Sequence, residues 1–146
     1  MIRKLTATEN SPAITILRLV LGVLFFAHGA QKALGWFGGY GFSGTMGFFT
    51  NAMHIPAPFA VLAIAAEFLG GIGLLLGLLT RIAAFGIFVN MMVAIVTVHA
   101  QFGLFANWSG TQKGEGIEYH LLVLAMAAAL LLRGAGAFSL DRALSK

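Results

Sequence analysis

The chain contains no cysteine. Disulfides, thiolate metal sites and cysteine nucleophiles are excluded, and so is dithiol exchange by this chain itself. Charge is nearly as scarce. Nine Lys or Arg and five Asp or Glu make up 10% of 146 residues, while 59% are hydrophobic. Soluble domains carry about 25% charged residues, so this chain cannot coat a water-facing surface of ordinary size. Its mean hydropathy of +0.90 points to a bilayer as solvent. A helix crossing ~30 Å of hydrocarbon takes about 20 residues. The length therefore allows four spans and little else, and residues 1–146 read as a single transmembrane domain. The net charge of +4 is dispersed at segment ends rather than clustered. That excludes a nucleic-acid-binding surface and leaves the basic residues as orientation signals.

Proline occurs three times, at 12, 56 and 58, and each position suits the start of a helix. The polar stretch from Thr6 to Thr15 argues against a signal peptide, so the apolar run after it is read as a retained first helix. Four spans are expected, at about 13–30, 57–79, 82–105 and 117–132. Arg18 lies inside the first and is expected to snorkel towards the headgroups. Arg18, Gly22, Phe25, Gly29 and Lys32 share one stripe. In the second span, Gly73 and Gly77 have the spacing of close helix packing. Thr80-Arg81 is a tight turn that sets the second and third spans antiparallel. Between the first two spans, residues 34–58 are rich in Gly and aromatics, too broken for a span and too apolar for a free loop. This connection is expected at the membrane interface, with Trp36 and Tyr40 at headgroup level and a short helix over residues 45–53.

The fold class is thus an all-α integral membrane protein, a four-helix transmembrane bundle. Four spans put both termini on one side. That side would carry Arg3, Lys4, Arg81, Arg133, Arg142 and Lys146, against Lys32 and Lys113 on the other. The asymmetry predicts N-in, C-in, with the Gly/aromatic connection outside.

In that orientation the polar residues gather in the outer half. His28, Gln31 and Lys32 share a helix face. Glu67 lies about a third of the way down the second span, His99 and Gln101 end the third, and Glu118 and His120 open the fourth. Ionisable groups in apolar spans are costly and mark function or pair with one another. His28 and Glu67 are the candidate proton-handling, catalytic residues. Gln31, Lys32, His99, Glu118 and His120 are candidates for substrate binding or an ion-pair network, with Lys32–Glu118 the expected pair and a structural pair of Glu67 with Lys32 or a His the alternative. No metal site is expected, because no close ligand pair is present. Asn90 and His99, nine residues apart, are about half a turn out of phase. They reach one cavity only if the helix distorts. Asn90 is read as an interhelical hydrogen bond.

Several motifs, in order, resemble the DoxX family of small bacterial membrane proteins. They are His28-Gly29-Ala30-Gln31-Lys32, Phe37-Gly38-Gly39-Tyr40-Gly41, Ala66-Glu67-Phe68-Leu69-Gly70-Gly71, Leu78-Leu79-Thr80-Arg81, Glu118-Tyr119 and Phe138-Ser139-Leu140-Asp141. Gly134-Ala135-Gly136-Ala137 departs from the Gly-Pro-Gly expected there. The resemblance implies a four-helix bundle in the bacterial cytoplasmic membrane. It also implies an association with redox physiology, since relatives include subunits of quinol oxidase and thiosulfate:quinone oxidoreductase systems.

Three functions are compatible with these residues. The first is a redox-associated subunit whose polar outer cavity admits a quinone or quinol, with no tightly bound cofactor and with a partner protein carrying the electrons. The second is a small-solute or proton binding or transport module, which four short helices would perform as a homo-oligomer. The third is a structural or assembly subunit of a membrane complex, in which the polar groups merely pair.

Overall fold

The computed structural model describes residues 5–145. Helix α1 spans Pro12–Leu34. Ser11 caps it by accepting from the Ile14 amide (3.4 Å), with Pro12 in the first turn. It ends at Gly35, in the left-handed conformation that glycine adopts without penalty. The connection then forms α2, Gly41–Gly47, which runs on into a π-helical turn at Phe48–Ala52. This helix starts four residues before the expected 45. α3 is Ala57–Leu76 and α4 is Thr80–Ala94. α4 continues through a π-helical turn at Ile95–His99 and a 3-10 turn at Ala100–Phe102. α5 is Glu118–Arg133, and α6 is Leu140–Leu144. The described residues contain no strand.

α1, α3 and the extended α4 (Thr80–Phe102) are long and apolar enough to cross a membrane. α5 has 16 residues, about 24 Å, and falls short of that length. α1 runs past residue 30 to Leu34, with Lys32 in its last turn. α3 stops short of 79 because Gly77 turns left-handed (φ 65°) and caps it.

α1 packs on α3 and α5, and α4 packs on α3 and α5. Leu21, Phe25, Leu74, Ile87, Met91, Val123, Ala127 and Leu130 fill the centre. The α1 stripe read from the sequence is buried: Arg18, Gly22, Phe25 and Gly29 all face inward. The glycines that let α1 and α3 touch are Gly29 and Gly71, not the Gly73–Gly77 pair. A Cβ on Gly29 would collide with the Phe68 backbone, and one on Gly71 with the Phe26 backbone.

One end of the bundle holds the start of α1, the α3–α4 turn and the end of α5, and two arginines bind it together. Arg18 does not snorkel. It is 1% exposed, because its guanidinium donates to four carbonyls: Leu74 (2.5 Å), Leu75 (3.0 Å), Ala135 (2.8 Å) and Phe138 (2.9 Å). Leu74 and Leu75 end α3, where carbonyls lack intrahelical partners and the helix dipole favours a cation. Arg81 does the same for α5, donating to Leu131 and Leu132. Between them, the Asp141 carboxylate accepts from the amides of Leu79 (2.7 Å) and Thr80 (2.9 Å). Leu79 is left-handed (φ 49°), a strain of about 1–2 kcal/mol for a residue with a Cβ. Each charge-assisted bond contributes about 1.5–3 kcal/mol, so the two from Asp141 outweigh it.

Candidate functional site

From the opposite end down to the α3–α4 turn, α1, α3, α4 and α5 border an open cleft of about 1470 Å³ with mostly apolar walls. The polar groups on those walls include His28 and Lys32 from α1, Glu67 from α3, Asn90 and His99 from α4, and Tyr119 and His120 from α5.

Glu67 is the centre. It is the eleventh of the twenty residues of α3, so it lies at mid-height rather than a third of the way down. The close approach at Gly29 brings α1 against this level of α3. Helical side chains lean towards the N-terminus, so Lys32, one turn beyond Gly29, reaches back to Glu67. Its Nζ lies 2.5 Å from Glu67 Oε2, with the carboxylate side chain 7% exposed. Asn90 Nδ2 donates to the other oxygen, Oε1, at 2.8 Å. Both carboxylate oxygens are thus engaged by groups from two other helices. The Lys32 partner is Glu67, the alternative pairing, rather than Glu118.

A second pair sits further along the cleft. The His99 and His120 rings are 4.1 Å apart, centroid to centroid. The π-helical turn at Ile95–His99 makes this possible. By holding an extra residue it turns His99 by about 100° relative to a regular α-helix, towards the side that Asn90 occupies. The distortion lies before Gly103, inside the span. His99 Nδ1 donates to the Glu115 carbonyl (2.8 Å), leaving Nε2 as its acceptor. Tyr119 Oη and His120 Nδ1 are buried without a hydrogen-bond partner among the described residues.

Two of the seven residues singled out from the sequence lie elsewhere. Gln31 Nε2 donates to the Phe37 carbonyl (3.3 Å) and helps seat the connection. Glu118 Oε1 accepts from Trp108 Nε1 (2.7 Å) in the loop before α5. The buried residues of α5 are His120, Val123, Ala127 and Leu130, a helical spacing that includes His120 and leaves Glu118 about 200° away. That phase was present in the sequence and separates the two. The same reasoning would have added Tyr119. No group of three His, Asp or Glu among the described residues is arranged to hold a metal ion.

The cleft thus combines an apolar wall, a neutralised carboxylate–lysine pair and imidazoles with open nitrogens. Such a set can hydrogen-bond a small polar head and exchange protons with it.

The DoxX family model matches residues 13–100. "Uncharacterized membrane protein Rv3486" of Mycobacterium tuberculosis is 33% identical, over 98% of this chain and 88% of its own length. "Putative oxidoreductase CatD" of Bacillus subtilis is 29% identical, over 86% of this chain and 82% of its own. No solved structure matches.

Proposed function

From the premise that the chain belongs to the DoxX family of membrane proteins, we propose that it is a redox-associated subunit of the bacterial cytoplasmic membrane. In this reading its cleft receives a quinone or quinol. The observation that carries the reading is Glu67, held between Lys32 and Asn90 at mid-height in the wall of an apolar cleft. Quinol oxidation releases two electrons and two protons per ring. The protons need acceptors inside an apolar site; in this reading His28 and Glu67, which both line the cleft, take them. Lys32 and Asn90 hold the carboxylate in position on the wall. The electrons pass to a redox partner protein. The oxidoreductase name of the Bacillus relative supports this class of chemistry.

The same reading makes α5 the fourth span, with both termini on the cytoplasmic side. Among the described residues, Arg81, Arg133 and Arg142 lie at that end and Lys113 at the other, an asymmetry that supports it. A 16-residue crossing is accommodated by local thinning of the bilayer or by burial of its start under the loop.

Purified protein titrated with a quinol tests the site. Saturable binding at one per chain, weakened in Glu67→Gln and His28→Ala while both variants elute as the wild type, is the expected result. Unchanged binding in both variants contradicts it.

A further inference from the structure

The cleft does not end at its polar cluster. It continues towards the α3–α4 turn as a groove between Leu69 and Leu76 on α3 and Ile82 and Phe85 on α4, and all four of these side chains are exposed on the outer face of the bundle. From Glu67 to Leu76 the groove follows nine helical residues, about 14 Å, close to half of ~30 Å of hydrocarbon. At the loop end the cleft is bordered by Phe48, Phe49 and Met53 from α2 and its following turn, and by Glu115 and Gly116 of the second loop. Along α3 and α4 it opens on the outer face of the bundle, where hydrocarbon lies.

We infer that the ligand reaches Glu67 sideways from the bilayer, with its polar ring at mid-membrane height and a linear apolar tail lying in the α3–α4 groove. This rests on the quinol reading above and specifies it: the ligand is an isoprenoid-tailed quinol, not a short water-soluble one.

The depth of Glu67 selects the head. It stands about 15 Å from either end of α3. A phospholipid cannot bring its phosphate there, because a charged head is held at the interface. The cleft also offers no spare ammonium, since Lys32, the lysine on its wall, is already bound to Glu67. An uncharged ring with hydroxyl or carbonyl groups can sink to that depth. There it meets Glu67 and Asn90, which border the cleft with His28. An apolar tail follows such a ring into the groove with no desolvation cost, because it moves from lipid to an apolar wall.

The test uses a quinone bearing a diazirine at the end of a short isoprenoid tail, and a fatty alcohol with a diazirine at the same distance. Each is photolysed with the full-length protein in phospholipid nanodiscs, and adducts are mapped by mass spectrometry. Adducts of the quinone probe around Leu76 and Ile82, competed by unlabelled tailed quinone and shifted away in Leu76→Trp and Ile82→Trp, are expected. Both positions face outward, so the larger side chains block the groove without entering the core. Adducts spread over α1 and α5, or unaffected by both tryptophans, overturn the groove. If the fatty alcohol labels the groove and tailed quinone does not compete, the groove stands and the quinol reading falls. If excess phospholipid abolishes labelling, the occupant is a lipid and the inference is overturned.

Discussion

At the scale of single residues, the scarcity of charge is what makes the site readable. With five acidic residues in the chain, a carboxylate in the middle of an apolar run stands out, and Glu67 is where the helices converge. Its partners were less legible. Lys32 has several carboxylates within reach by sequence, and only the crossing of α1 and α3 at Gly29 selects Glu67 over Glu118. Removing one member of a buried pair leaves an uncompensated charge, at a cost of about 3–5 kcal/mol. Glu67→Gln and Lys32→Met should each lower the thermal midpoint in detergent, and the double variant should recover much of the loss. Strictly additive losses would show that the two do not interact. Arg18 was misread as a snorkelling residue because a sequence does not show which carbonyls lie near a guanidinium. Arg18→Met leaves four carbonyls at the turn end without their donor, each worth about 1–3 kcal/mol if left unsatisfied. Sharply reduced yield of folded protein is expected, and wild-type thermal stability would contradict the clasp.

At the scale of helices, hydrophobic runs marked where the long elements lie, but not how they touch. Period and length cannot tell Gly71, which meets the Phe26 backbone, from Gly73 two residues later. Gly29→Ala pushes a Cβ into the Phe68 backbone and should cost about 1–3 kcal/mol by overpacking. Gly47→Ala, in α2, meets nothing closer than 3.9 Å and should gain about 0.5–1 kcal/mol in helix stability. Thermal melts of the two variants should therefore move in opposite directions. The π-helical turn at Ile95–His99 leaves no distinct mark in the sequence pattern of the third span. Deleting the exposed Val96 should restore a regular α-helix and turn His99 away from His120. Quinol binding should fall while assembly persists, and undiminished binding would remove the histidine pair from the site.

At the scale of the whole molecule, composition was enough for the membrane class, and the order of motifs was enough for the family. The proposed orientation rests on the basic residues and can be tested because the chain has no cysteine of its own. A single Ser109→Cys should react with a membrane-impermeant maleimide on intact spheroplasts, whereas Ser145→Cys should react only after permeabilisation. The reverse pattern would invert the bundle. The central claim concerns what the cleft holds. The most direct measurement is native mass spectrometry of the protein extracted with its own membrane lipids, followed by solvent extraction and quinone analysis. One quinone per chain in the wild type, lost in Glu67→Gln and His28→Ala, is the predicted result. No quinone in the wild type, or the same quinone content in all three proteins, would contradict it.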